Sequence, residues 1–131
     1  MASAGKIQRL GRGLKGKMSL RATHRDAGPV TVVDLSGRIT LGDGSALLRK
    51  TIRGLLEDQR KKILLNLADV DYIDSSGIGE LVSGFTAVKN QGGDLKLLQL
   101  TKKVRDLLQI TKLYTVFDVF TDESSAIRSF N

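Results

Sequence analysis

Cysteine and tryptophan are missing from this chain, and proline and histidine occur once each. Without cysteine there is no disulfide, no thiolate catalysis and no cysteine-based zinc site, which fits a reducing compartment. One histidine, His24, at the edge of the first expected strand, leaves a serine nucleophile without a base and a metal without ligands. Apolar stretches are short: none nears the roughly 20 residues that cross a bilayer. The first 17 residues hold no apolar core of a secretion signal, so the expectation is a cytoplasmic protein with no membrane span. Acids are missing before Asp26, where Lys6, Arg9, Arg12, Lys15, Lys17, Arg21 and Arg25 stand.

That last absence decides how the net charge of +7 reads. The remaining 14 basic residues balance the 14 acids. The pattern is a neutral domain with a basic tail, and it gives the domain itself no nucleic-acid-binding signature. In residues 1–17, Gly5, Gly11, Gly13 and Gly16 lie among the cations, a density that predicts a flexible tail. Such an arm could hold nucleic acid or anionic lipid through phosphate attraction. Met18 opens "MSLRATHR", where ordered patterning begins; it is a candidate for the natural start, and the domain is read as 18–131.

With 131 residues and 40% hydrophobic content, the chain suits one hydrophobic core. "LRATH" and "VTVVDLS" are strand-like runs separated by "RDAGP", a turn, which predicts an antiparallel hairpin. "LGDGSALLRKTIRGLLEDQ" has helical spacing, and "KILLNL" is a short buried strand. Ile78, Leu81, Val82, Phe85 and Val88 mark a second helix that ends at "NQGG". "DLKLLQL" alternates as a strand, "VRDLLQI" returns to helical spacing, "TVFDVF" reads as a final strand, and "DESSAIRSF" as a short helix begun by Asp122. The expectation is one α/β domain in the order ββαβαβαβα: a mixed central sheet with helices packed mainly on one face.

The stretch that carries chemistry is "VDYIDSSGIG", which sets Asp74, Ser75, Ser76 and Gly77 at the mouth of the second helix. As a phosphate cradle it fails on spacing, because Val82 stands where a third glycine is needed, and the five-residue step from Gly79 to Gly84 runs into Phe85 and Thr86. There is no Gly-x-Ser-x-Gly elbow for a nucleophile. The reading is a protein with no catalytic residue, no metal and no cofactor. Two alternatives stay open on the residues alone. One is a helix N-cap from Asp74, Ser75 or Ser76, worth about 1 kcal/mol, without the reciprocal capping box. The other is a phosphorylated serine, whose charge of about −1.5 to −2 the helix dipole would receive without unfolding the domain. Gly77 and Gly79 would leave the surface there without bulk, open to another protein.

The stretch from Leu64 to Leu113, and above all Leu-x-x-Val-x-x-Ile-Asp-Ser-Ser-Gly-Ile-Gly from Leu67 to Gly79, resembles the anti-sigma-factor antagonists of the STAS domain family. Gly92-Gly93 and "VRDLLQITKL" add to the likeness, which covers about residues 18–131. The resemblance implies partner switching in bacterial transcription regulation. A GHKL-type serine kinase that is also an anti-sigma factor binds the unmodified antagonist and releases its sigma factor. It then phosphorylates the antagonist, and a phosphatase resets the cycle. The hydroxyl after the aspartate, here Ser75, is the one the resemblance makes the phosphorylation site. Asp74, Ser76, Gly77 and Ile78 are then partner-binding residues on a monomer, and any ATP belongs to the kinase. "SGRITLGDG" departs from the family's frequent Gly-Glu-Leu-Asp. Arg38 replaces the acid and Thr40 the aspartate, which implies a different kinase partner or weakened docking at those two positions. The same family also supplies scaffolding subunits of membrane transport systems, the alternative role.

Overall fold

A computed structural model describes residues 20–130; the expected tail of residues 1–17 lies outside them. The first two strands, β1 (Leu20–Ala27) and β2 (Val30–Ile39), form the antiparallel hairpin the sequence predicts. Both run longer than the apolar runs that announce them, so the turn shrinks to Gly28-Pro29. Gly28 there adopts a left-handed φ of 64°, which glycine tolerates without a Cβ penalty.

From β2 onward the strands are parallel. Helix α1 (Asp43–Glu57) leads to β3 (Lys62–Ile73), α2 (Ser75–Asn90) to β4 (Asp94–Leu98), and α3 (Lys102–Ile110) to β5 (Val119–Phe120). A last helix, α4 (Glu123–Arg128), follows. The sheet order β1-β2-β3-β4-β5 is the chain order. Each parallel step therefore moves the same way across the sheet. Right-handed crossovers then place the intervening helices on one face. The large apolar cluster agrees, since Leu48 and Ile52 of α1, Leu81 and Val88 of α2, and Val104 and Leu108 of α3 share it with Leu35, Leu65 and Leu97. Helix α4 is not a crossover and covers the other face, where Ala126 and Phe130 pack on Val30, Val32, Leu64 and Leu98.

Two expectations about strands need correction. "KILLNL" continues as β3 to Ile73 because Val70 and Ile73 keep an inward side chain opposite Gly37 and Ile39, past two register shifts. "TVFDVF" is strand only at Val119–Phe120, which pair with Leu97 and Leu98. The residues before it turn instead: Lys112 takes a left-handed φ of 63° and Leu113–Thr115 form a 3-10 turn. The buried Lys96 of β4 fastens α4 from below. Its Nζ donates to the carbonyl and the Oγ of Ser129, each at 2.9 Å, and sits 4.8 Å from the Phe130 ring.

Candidate functional site

The carboxyl ends of β2 and β3 bring the expected site residues together, the end at which open α/β sheets present their working surfaces. Arg38 pairs with Tyr72 and Ile39 with Ile73. The Asp74 N–H then donates to the Ile39 carbonyl at 3.2 Å, and α2 begins at the next residue.

Asp74 is the N-cap. One carboxylate oxygen accepts the Gly77 N–H at 2.9 Å and the other accepts the Leu41 N–H at 3.0 Å. A single side chain thus satisfies a free donor of α2 and pins the β2–α1 loop beside it. The Gly77 bond first, and the Leu41 bond second, hold this carboxyl below the ordinary carboxylate range. A carboxyl lowered by folding stabilises fully above its unfolded value of about 3.9, and that stability is lost as pH falls through the folded value. Asp74→Ala should therefore cost about 1–2 kcal/mol in urea unfolding at pH 7. Asp74→Asn, a good cap that does not titrate, should cost less and flatten the loss of stability below about pH 4.

With the capping done by Asp74, the two hydroxyls have no capping duty. Ser75 is exposed, and its Oγ makes no hydrogen bond among the described residues. Ser76 and Ile78 are half-buried. Gly77 needs a correction: it does not leave the outer surface open, because it is buried. A Cβ there would run into the carbonyl oxygen of Ile39 and lie 2.6 Å from Cγ1 of Ile73. Its small size lets α2 dock on the sheet, and of the two glycines Gly79 is the one that faces open space.

The two departing residues sit beside this mouth. Arg38 is exposed, with its guanidinium 5.9 Å from the Tyr72 ring centre and 4.0 Å from Asp71. Thr40 works through its backbone: its carbonyl accepts the N–H and the Oγ of Ser45, each at 2.9 Å, which starts α1 after the left-handed Gly42.

Sequence reasoning missed a groove of about 630 Å³ between the start of α2 and α3. Tyr72, Ile73, Ile78, Leu107 and Ile110 give it an apolar floor, and Ser75, Lys103 and Asp106 stand at its rim. Ile110 is 77% exposed and Leu41, next to the Asp74 clamp, is 79% exposed. A single exposed apolar side chain is ordinary on a surface; Tyr72, Ile78, Leu107 and Ile110 matter because they adjoin along one groove. Among the described residues no group of three or more His, Cys, Asp or Glu is placed to hold a metal, and no helix is long and apolar enough to cross a membrane.

A family model described as "STAS domain" matches residues 21–126. The chain belongs to the STAS domain family. The anti-sigma-factor antagonist of Bacillus subtilis named for sigma-B is 32% identical over 96 residues, which is 73% of this chain and 86% of that protein. Solved STAS structures share the fold. An anti-sigma factor antagonist from Mycobacterium paratuberculosis matches with a TM-score of 0.75 at 19% identity, covering 89% of this chain and 98% of that one. The phosphorylated form of the Bacillus cell-fate determinant SpoIIAA matches with a TM-score of 0.67 at 18% identity, covering 85% and 100%. The antagonists of the STAS family are regulators and not enzymes.

Proposed function

We propose that this STAS domain is an anti-sigma-factor antagonist that works by partner switching in the bacterial cytoplasm. Unmodified, it binds a GHKL-type serine kinase that doubles as an anti-sigma factor, and so frees the sigma factor. Phosphorylation of Ser75 ends that binding, and a phosphatase restores it. The observation that carries the reading is the division of labour at the mouth of α2. Asp74 makes both the cap and the loop bond, while Ser75 stands exposed beside an apolar groove.

The chemistry follows from that arrangement. A hydroxyl at the first position of a 16-residue helix lies where the helix dipole favours an added anion. The phosphate changes charge at the rim of the groove while the packed helix below stays in place. Tyr72, Ile78, Leu107, Ile110 and Leu41 supply the apolar contacts of the unmodified docking face. Arg38 and Thr40 select the partner from the neighbouring strand end. Incubation with a cognate GHKL-type serine kinase and ATP, followed by mass mapping, tests the assignment. The expected result is one phosphate on Ser75, absent from Ser75→Ala. Phosphate found only elsewhere, or recovery of membrane permease components in place of a kinase in a pull-down, would overturn it.

A further inference from the structure

Strand β3 outlasts its neighbour on one side. Its pairing with β4 ends where Asn66 meets Leu98, while its pairing with β2 goes on to Ile73 opposite Ile39. Among the described residues, 67–73 therefore have no strand partner on the β4 side. The chain leaves β4 through Gln99, at a left-handed φ of 55°, and enters α3, which packs against β3.

Thr101, the N-cap of α3, makes the hydrogen bond between the two. Its Oγ1 donates to the Val70 carbonyl at 2.9 Å. The same oxygen accepts the Val104 N–H at only 3.4 Å, whereas the caps Asp74 and Asp122 accept theirs at 2.9 Å. An N–H···O bond is ordinarily about 2.7–3.2 Å long, so Thr101 caps weakly. A hydroxyl has one proton to give, and here the strand receives it. No other hydrogen bond among the described residues joins β3 to α3.

That bond links the two walls of the groove. Val70 leads into Tyr72 and Ile73 on one wall, and Thr101 starts the helix that carries Leu107 and Ile110 on the other. Val104 and Leu108 anchor α3 in the core, but apolar contact is non-directional and lets a helix roll or tilt. A hydrogen bond fixes one point of it. Leu107 and Ile110 lie about 9 and 14 Å along the axis from Thr101, so a tilt released there moves both.

We infer that Thr101 is a positioning residue of the docking face. Its hydroxyl sets the spacing between Tyr72 and Ile78 on one wall and Leu107 and Ile110 on the other, and with it the fit of a partner's apolar group. Thr101 is half-buried and lies outside the groove lining, so it acts through α3. The inference rests on the reading of the groove as the surface that the kinase meets beside Ser75, and adds the device that holds its width.

Three substitutions separate the tie from the cap. Thr101→Ser keeps both. Thr101→Asp keeps an acceptor for the first turn and is the better cap, but it has no proton for Val70. Thr101→Val loses both. The aspartate and valine variants differ in charge and in capping, and they share the missing donor. Residual dipolar couplings of the amides, measured without any partner, report the orientation of α3. Those of Lys102–Ile110 should depart from the natural arrangement in Thr101→Asp and Thr101→Val, with α1 and α2 unchanged and Thr101→Ser like the natural chain. In phosphorylation of Ser75 by a cognate kinase, the same two variants should raise KM about 3- to 10-fold at an unchanged kcat, the size of one hydrogen bond. Thr101→Ser should restore it. Natural couplings in Thr101→Asp would overturn the tie, and shifted couplings with an unchanged KM would overturn its role in docking. A kinase that ignores Ser75 in the natural chain would count against the function proposed above, and the couplings would still decide the tie.

Discussion

Ser75→Asp should weaken binding to the kinase partner by about 10- to 100-fold, a cost of about 1.4–2.8 kcal/mol, with the circular dichroism spectrum unchanged. The carboxylate places one negative charge where the docking face needs a small neutral group beside Tyr72 and Ile78. Charge at a desolvated contact is costly when no partner charge awaits it. Ser75→Ala should bind as tightly as the natural serine, and it should remain bound in the presence of ATP because it cannot be modified. Titration calorimetry with and without ATP separates the two variants. Equal affinity of Ser75→Asp and Ser75→Ala would reduce the site to a helix start and nothing more.

The second large effect concerns two glycines that look alike in sequence and lie two residues apart. Gly77→Val should lower stability by about 3 kcal/mol or more. For a domain of this size that is a fall in Tm on the order of 10 °C. The obstacle is the backbone carbonyl of Ile39, together with Cγ1 of Ile73 and Cγ2 of Ile39, so no flexible side-chain tip can swing aside. Gly79→Ala meets nothing within 4 Å. It should raise stability by about 0.5–1 kcal/mol, because alanine is the better helix former. Opposite signs in a thermal melt would place α2 against the end of β2 as described. A harmless Gly77→Val would mean that the helix mouth does not sit there.

Much of this was legible in the residues, and the reasons differ from element to element. Helix α2 announced itself because Ile78, Leu81, Val82, Phe85 and Val88 repeat at helical spacing over a long window. Asp74 and Asp122 both proved to be caps, since a short acid before an apolar period has few other uses. "TVFDVF" has the composition of a strand, yet only Val119–Phe120 form one. Its first half is spent reversing direction after α3 through Lys112, which only the length of that connection demands. Propensity gave way there to topology. In sequence Gly77 reads as surface, because a glycine reports the lack of a side chain and not which neighbour requires it.

The groove was the main omission. Its walls come from Tyr72 and Ile78 on one side and from Leu107 and Ile110 on the other, about thirty positions apart in the chain. No local pattern joins them. One trace was present in α3, where Val104 and Leu108 form the buried stripe. Lys103, Leu107 and Ile110 recur beside that stripe at spacings of four and three, a second face with an apolar part that the core does not use.

The seam between Lys96 and Ser129 has a practical side. It holds α4 on the face of the sheet away from the groove, so a fluorescent protein joined after the last residue would hang clear of Ser75. The same cargo joined in front of residue 20 would enter at the end of the sheet that carries the switch, two strands from it. Any assay of this chain should carry its reporter at the carboxyl terminus.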